Sequence, residues 1–387
     1  TGAASQALQA DKHIKLIAMG DMFEDRLKKS LNTLRKVPEV EGKVDVPRER
    51  QFVGWDAYEK VLASGVDSVL LTTPPHFRPA HLKAAIAAGK HVFAEKPVAV
   101  DAPGVRSVLE TCKLARKKGL SVVSGLCLRY GNGFRAMMKR IHGGDIGEVH
   151  TLFANDYRGG IWYKERQPDW TDMHYQMRNW YYFVWLCGDH IDEQHIHNLD
   201  VGNWVMQGYP VMANGMGGGE QRMSGDRTKS QIFDPTFVEF TYANGHKMYS
   251  QARHLGGKAF GQVAEYAHGS KGTCKLASSI NPFDGDPIRI VGKGGGHQQE
   301  QTDLIEALAK GEIYNEGDYG AKATFTAILG REACYSGRQL KWDDLLNKGH
   351  DYCPGIDDWT LKTDPPAMKG ADGKYPVPRP GSWDPFA

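Results

Sequence analysis

Apolar and polar positions alternate in short blocks over the first 126 residues, as in strands buried between amphipathic helices. Runs of four to six mainly apolar residues predict buried strands at Ile14–Met19, Ser68–Thr72, His91–Ala94 and Ser121–Leu126. Helical spacing predicts helices at Gly2–Ala10, Glu24–Arg35, Asp56–Ser64, His81–Ala88 and Ala102–Lys118. Short apolar strands that alternate with helices form parallel sheets covered on both faces, so we predict an α/β domain with a doubly wound sheet over residues 1–126.

The pattern changes after residue 126 and becomes typical of antiparallel strands. Asn244-Gly245 separates Phe237–Tyr242 from Lys247–Gln251, which is a strong hairpin signal. Further strands are predicted at Val263–His268, Thr273–Leu276 and Ile288–Val291, and helices at Gln298–Ala309 and Ala321–Ser336. We therefore predict an α+β domain with a large, open, mostly antiparallel sheet over residues 127–349, followed by an arm rich in Pro and Gly over residues 350–387.

Charge and composition narrow the range of partners. The chain carries 48 basic and 46 acidic side chains, a net charge of +2, which predicts no general attraction to nucleic acid or to a membrane surface. It contains no apolar run long enough for a membrane span. Six scattered cysteines without a CxxC pair argue against a disulfide framework and against a thiolate zinc site.

A doubly wound sheet that binds a dinucleotide opens with a strand and a glycine-rich turn that holds the pyrophosphate. This chain starts instead at the helix that would follow such a turn. We expect the strand and the turn to lie upstream of Thr1. The alternative is that Gly2–Ala10 is a simple N-terminal helix and that the protein has no phosphate loop.

Two residues at predicted strand ends suggest nucleotide and hydroxyl chemistry. Asp21 follows the strand Ile14–Met19, where an acidic side chain accepts hydrogen bonds from the adenosine ribose and repels the 2′-phosphate of NADP, so it favours NAD. Its alternative role is that of a helix N-cap. Lys96 follows the strand His91–Ala94, where an ammonium could steady a developing alkoxide. The alternative is an ordinary surface lysine.

The segment from Asp189 to Asp200 concentrates histidines and acids. On one helix, Glu193 and His197 would share a face and Asp200 would lie three residues beyond, which favours a general base with an orienting carboxylate. The spacing matches no zinc-binding helix motif, and His195 would lie on the opposite face, so we predict no metal here. A structural histidine cluster is the other alternative.

Taken together, these motifs resemble the glucose–fructose oxidoreductase / inositol dehydrogenase / MocA (Gfo/Idh/MocA) family. The resemblance spans almost the whole chain and rests on Thr73-Pro74-Pro75, Ala88–Val92, Glu95-Lys96-Pro97, Gly144–Val149 and Glu193–Asp200. It implies an N-terminal Rossmann domain and a C-terminal domain whose open sheet forms a homodimer or homotetramer. It departs from the family pattern at Glu193, where the family has Asp, and at His195, where it has Gly.

The resemblance also implies roles for individual residues. Lys96 and His197 would be catalytic, with Glu193 at the acidic position before the histidine. The cofactor NAD, rather than NADP, would contact residues matching family positions, which together with Asp21 are Thr73, Pro74, Glu95, Lys96, Pro97 and Arg129. Arg78 stands where the family often has histidine and is left without a role.

A long aromatic segment between residues 156 and 188 suggests a sugar substrate, because aromatic faces stack on the C–H faces of sugar rings. We expect about two of six clustered aromatic residues to line a pocket, namely Trp162, Tyr163, Trp180, Tyr181, Tyr182 and Trp185. The predicted substrate-binding residues are Arg158, Trp162, Tyr182, His195 and His197. This variant is similar to bacterial members exported in folded form, so both a cytoplasmic and an exported location are compatible with the sequence.

The leading hypothesis is therefore an NAD-dependent oxidoreductase acting on a secondary hydroxyl of a sugar or polyol. His197 would take the proton, oriented by Glu193 or Asp200, and Lys96 would stabilise the alkoxide. One alternative is a glycosidase that uses the same hydride step transiently and recycles its NAD. A second is a non-catalytic subunit that senses sugar or NAD.

Overall fold

The computed structural model describes residues 1–219, 228–353, 355 and 359–387. The first 126 residues form helices α1 to α5 and strands β1 to β5 in alternation. The helices are α1 (Gly2–Ala10), α2 (Glu24–Leu34), α3 (Ala57–Leu62), α4 (Arg78–Ala87) and α5 (Ala102–Lys117). The strands are β1 (Met19–Asp21), β2 (Gln51–Val53), β3 (Ser68–Leu71), β4 (His91–Ala94) and β5 (Val122–Ser124). Short 3-10 turns occupy Pro38–Val40, Arg48–Arg50, Pro75–Phe77 and Cys127–Tyr130.

All strand pairs in this half are parallel, which confirms the predicted α/β class. β3, β4 and β5 form one sheet, and β1 pairs with β2 in a second. Among the described residues, no strand pairs with the facing edges of β1 and β3. A cavity of about 1760 Å³ lies between these edges and is lined by the backbone of residues 16–22 and 66–74. The strand and turn predicted ahead of Thr1 stay a prediction.

One predicted strand is shorter than its apolar run. Ile14–Met19 forms only an isolated bridge, between Leu16 and Val44, before regular pairing begins at Met19. The physical reason is the lack of a partner, because a strand is assigned only where its backbone groups pair with a neighbour. β2 (Gln51–Val53) was not predicted, and the other strands and helices of this half lie within a few residues of their predicted positions.

Nine strands of the described chain form one large sheet in the second half, in the order β13-β12-β11-β10-β6-β9-β8-β7-β14. Only the central pair β6–β9 is parallel, and the other pairs are antiparallel, as predicted. The strands are β6 (Val149–Arg158), β7 (Met212–Gly217), β8 (Pro235–Thr241), β9 (Lys247–His254), β10 (Gln262–Gly269), β11 (Gly272–Lys275), β12 (Ser279–Pro282), β13 (Ile288–Arg289) and β14 (Leu340–Lys341).

Helices cover one face of this sheet and leave the other open. The helices of this half are α6 (Asn132–His142), α7 (Asp172–Arg178), α8 (Val184–Cys187), α9 (Asp189–Glu193), α10 (Ile196–Met206), α11 (His297–Ala309), α12 (Gly317–Ser336) and α13 (Trp342–Lys348), with a 3-10 turn at Trp180–Tyr182. The long, almost fully buried α12 packs against the sheet on one side and against α5 of the first half on the other. Alternate residues of β8 and β9 are buried beneath these helices.

The C-terminal arm lies on the chain's own surface. Tyr352 and Tyr375 are buried, and the indole of Trp383 donates a 2.8 Å hydrogen bond to Glu332 of α12. Trp359 packs edge-on against Trp185. The arm therefore covers one end of the aromatic segment.

Candidate active site

The candidate site lies where β3 and β4 end side by side. Leu71 and Ala94 pair in register, so Thr73 and Lys96 each stand two residues beyond the end of neighbouring parallel strands. Ligand sites in open α/β sheets lie beyond the carboxyl ends of the strands. The fold thus brings these two predicted residues to the same edge.

Lys96 is held by Glu193. Its ammonium donates to the Glu193 backbone carbonyl and to Glu193 Oε1, the latter at 3.2 Å. Both side chains are only 12% exposed, so water weakens this ion pair little. Burial raises the pKa of Glu193, whereas the charge of Lys96 lowers it. The two predicted catalytic groups therefore form one unit, with the ammonium fixed by two acceptors.

The structure corrects the predicted helix through Glu193 and His197. α9 ends at Glu193 and α10 begins at Ile196. Between them, the amides of Gln194 and His195 both donate to the His190 carbonyl, which widens the turn by one residue and breaks the helical period. Glu193 and His197 are consequently not neighbours on one helical face.

His197 is partly exposed and electrostatically kept neutral. Burial lowers the pKa of His197 well below its ordinary value, and the positive charges of Lys96, His297 and Arg158 act in the same direction. Its Nδ1 has no hydrogen-bond partner among the described residues. A neutral imidazole with an unengaged nitrogen can accept a proton at physiological pH.

The predicted orientation of His197 by a carboxylate is wrong for Asp200 and is not seen for Glu193. Asp200 accepts two 2.8 Å hydrogen bonds from Arg129 in a bidentate ion pair. Arg129 itself stacks over Tyr319, with its guanidinium carbon 4.2 Å from the ring centroid. Because a bidentate ion pair fixes both groups, Asp200 orients Arg129. Glu193 orients the ammonium of Lys96 instead.

Two buried groups near Lys96 were not singled out as site residues. Asp192 is fully buried, neither of its carboxylate oxygens has a hydrogen-bond partner among the described residues, and burial raises its pKa well above the ordinary value. Arg78 is 4% exposed, donates a 2.6 Å hydrogen bond to the Pro97 carbonyl, and burial lowers its pKa to about 10. The sequence placed Arg78 at a family position without a role and Asp192 within the acidic segment Asp189–Asp200, and it is their burial that distinguishes them.

His297, at the start of α11, is a further residue that sequence reasoning missed. It is bonded to Cys127 and to Glu300, with Nδ1 lying 3.2 Å from Glu300 Oε1, and these partners raise its pKa to about 10. Its positive charge is one of those that keep His197 neutral. The glycine run before His297 was the available signal, but it gives no indication of the partner Cys127, which lies 170 residues earlier in the chain.

Some of the predicted cofactor residues line the large cavity, and Glu95 lies against Gly125. Asp21, Thr73 and Pro74 line the large cavity, and the carboxylate of Asp21 is held at the end of β1 by a 2.9 Å hydrogen bond from the Phe23 amide. Glu95 packs against Gly125 so closely that a Cβ there would lie 2.6 Å from its carboxylate. The cavity and its acidic end fit an elongated dinucleotide with a ribose at Asp21.

The predicted substrate residues differ in their exposure. Arg158 is 38% exposed and paired with buried Asp156, and Trp162 is 42% exposed beside Trp180. Tyr182 is 1% exposed and donates to the Ile161 carbonyl. His195 is fully buried, with Nε2 lying 2.8 Å from Ser250 Oγ of β9.

Tyr182 and His195 therefore pack beneath the surface, and their contact with a substrate stays a prediction. Of the six aromatic residues singled out, Tyr181, Tyr182 and Trp185 are buried. Trp180 lines the large cavity, and Trp162 keeps an open face. The expectation that about two of the six line a substrate pocket stays a prediction.

Residues 25–126 match the model of an oxidoreductase family with an NAD-binding Rossmann fold. The chain is 32% identical over 202 residues to an inositol 2-dehydrogenase from Azotobacter vinelandii, covering 51% of this chain and 48% of that protein. It is 27% identical over 235 residues to the 2,7-anhydro-N-acetylneuraminate hydratase of Escherichia coli, covering 60% and 57% respectively. The chain thus spans about half the length of the curated relatives it matches.

Solved structures share the fold over nearly the whole chain. Scyllo-inositol dehydrogenase from Lactobacillus casei, solved with NAD(H) and scyllo-inositol, has a TM-score of 0.65 at 16% identity and covers 88% of this chain and 96% of its own. Aldose-aldose oxidoreductase from Caulobacter crescentus has a TM-score of 0.65 at 17% identity, with coverage of 87% and 94%. At such identities the likeness establishes architecture.

Proposed function

We propose that the protein, whose residues 25–126 match the Gfo/Idh/MocA model of oxidoreductases with an NAD-binding Rossmann fold, oxidises or reduces a secondary hydroxyl of a cyclic polyol or sugar with NAD. The observation that carries the proposal is the Lys96–Glu193 pair beside a neutral His197, at the carboxyl edge of the parallel sheet. These groups supply a proton acceptor and a cation at one place.

In the direction of oxidation, the neutral imidazole of His197 accepts the hydroxyl proton. Lys96, steadied by Glu193, stabilises the negative charge that develops on the substrate oxygen. NAD, when bound, supplies the acceptor for the hydride that leaves the same carbon. The substrate carbon and its oxygen then form a carbonyl, with the proton on His197 and the hydride on the cofactor.

Asp21 favours NAD over NADP. Its carboxylate lines the cavity at the end of β1, where a 2′-phosphate would bring negative charge against negative charge. The substrate side is formed by Arg158, which can bond hydroxyls, and by Trp162, whose open face can stack on a ring.

The proposal is tested by mixing the full-length protein with NAD and a panel of inositols, pyranoses and aryl glycosides. Absorbance at 340 nm and release of the aryl group are followed together. A rise at 340 nm in proportion to substrate consumed, without aglycone release, is the expected result. Failure of every hydroxyl compound to reduce NAD, while NAD still binds, would reject an oxidoreductase.

A second candidate is a redox-cycling enzyme, in which the hydride returns to the substrate and no net oxidation occurs. The similarity to a protein named as a hydratase of an anhydro sugar favours keeping this candidate. The same assay separates the two, because redox cycling gives aglycone release or addition of water with no net rise at 340 nm.

We further propose that the open face of the nine-stranded sheet joins copies of this chain. Phe153, Tyr249 and Phe237 stack on adjacent strands of that face, with ring centroids 5.6 and 6.3 Å apart. Exposed apolar side chains continue the surface at Phe260 and Val263. A contiguous apolar patch on a folded chain is typical of a protein interface, and a second copy presents the same face.

A further inference from the structure

Three side chains with metal-binding chemistry meet at one corner of the large sheet, away from the candidate active site. They are Glu148, His150 and His246, and their ligand atoms all lie within 4.8 Å of one another. His150 Nδ1 is 3.3 Å from His246 Nε2, and His246 Nε2 is 3.4 Å from Glu148 Oε1. The Glu148 and His150 side chains are open to solvent, and that of His246 is 16% exposed.

The backbone brings these groups together. β6 and β9 pair in parallel with Thr151 opposite Lys247, so His150 and His246, one residue earlier on each strand, stand side by side. Glu148 precedes the same strand, and Ser270 fixes its backbone through a 3.0 Å hydrogen bond to its amide. Pairing of the strands, and not the conformation of a loop, therefore sets the spacing of the ligands.

His246 is further oriented by the turn before it. Its backbone amide donates to Asn244 Oδ1 at 3.1 Å, and its Nδ1 lies 2.9 Å from the Asn244 side-chain amide. The two contacts with Asn244 hold the imidazole so that Nε2 faces His150 and Glu148.

We propose that Glu148, His150 and His246 bind a divalent transition-metal ion of the zinc type. Zinc binds histidine nitrogen at about 2.0–2.1 Å in tetrahedral geometry, which places neighbouring ligand atoms about 3.3–3.4 Å apart. Two of the three separations, 3.3 and 3.4 Å, meet that requirement, and the third lies within 4.8 Å. One carboxylate and two imidazoles leave a fourth position for water.

The bound ion joins strands that are distant in sequence. His150 and His246 are 96 residues apart, and the ion links the start of β6 to the turn that leads into β9. Because the unfolded chain does not hold these ligands together, binding stabilises the folded sheet. No catalytic group of the candidate active site takes part, so the ion acts apart from the proposed hydride transfer.

The test uses the full-length, untagged protein after treatment with a chelator, and zinc ion alone as the probe. Competition with a chromophoric zinc chelator measures affinity and stoichiometry in the parent protein and in His150→Ala, His246→Ala and Glu148→Gln. His13→Ala, at an exposed histidine remote from the three ligands, is the matched control.

One zinc per chain is expected in the parent protein and in His13→Ala, with affinity at least about tenfold weaker in His150→Ala and His246→Ala. Zinc should raise the thermal midpoint of the parent protein and leave that of a His150→Ala/His246→Ala double variant unchanged. Absence of stoichiometric binding, or an equal loss of affinity in His13→Ala, would overturn the proposal. The readout does not involve turnover, so it is independent of the proposed oxidoreductase activity.

Discussion

Replacing Glu265 by Gln should stabilise the protein, and only above the pH at which this carboxyl ionises. Glu265 lies on β10, is 4% exposed, and accepts a hydrogen bond from the side-chain amide of Asn198, next to His197. Burial raises the pKa of Glu265 from 4.5 to about 7, although the hydrogen bond from Asn198 opposes this shift. A Gln side chain keeps an oxygen acceptor for Asn198 and removes the buried charge.

The magnitude follows from the shift of the pKa. The pKa of Glu265 is about 7 in the folded state, against 4.5 for the unfolded chain. The stability that the protonated carboxyl contributes is therefore complete below pH 4.5 and is lost as the pH rises through 7. Each pKa unit corresponds to about 1.4 kcal/mol, so the free energy of unfolding of the parent protein falls by roughly 3 kcal/mol. For 387 residues at about 2.1 cal/mol/K each, this corresponds to a change in thermal midpoint of roughly 4 °C.

Thermal unfolding of the parent protein and Glu265→Gln is compared at pH 4.5 and pH 8. We expect nearly equal midpoints at pH 4.5 and a higher midpoint for Glu265→Gln at pH 8. Glu110→Gln, at an exposed residue of α5, is the control and should show no such dependence. The same difference at both pH values, or a less stable variant at pH 8, would refute the reasoning.

Three further results are expected. Asp21→Ser should lower the ratio of kcat/KM for NAD to that for NADP at least about tenfold, because the carboxylate that would repel the 2′-phosphate is lost. An unchanged ratio would contradict the role of Asp21 in selecting NAD. Phe153→Glu on the open face should shift the protein to a smaller species in light scattering, whereas an unchanged mass would place the interface elsewhere. Arg129→Lys should reduce the free energy of unfolding by about 1–3 kcal/mol, since it breaks the bidentate pair with buried Asp200, and unaltered stability would contradict that.

The fold could largely be predicted because its signals are local. The Asn244-Gly245 turn acts within a few residues, and it marks a hairpin where the structure has one. The extent of the strand ending at Met19 could not be predicted in the same way. Its length depends on which backbone lies beside it, and that is a property of the assembled sheet.

The sequence analysis named side chains that lie near one another in the structure, but it did not identify the group that each one bonds. Lys96, Glu193 and His197 come near one another, but the wide turn after Glu193 redirects the chain, so Glu193 bonds Lys96 and leaves His197 free of a carboxylate. Helical spacing assumes an unbroken period and misses such a turn. The pairs Arg129–Asp200 and His150–His246 span 71 and 96 residues, and no motif joins residues over that separation.

The most direct test of the central claim is turnover by Lys96→Met and His197→Gln, measured as NADH formation at 340 nm with the most active hydroxyl compound. NADH binding is measured beside it by fluorescence, and Lys117→Met, at the exposed end of α5, is the control. We predict that kcat falls at least about 100-fold in both site variants, with NADH binding nearly unchanged and the control fully active. Near-normal turnover in both site variants would contradict the account.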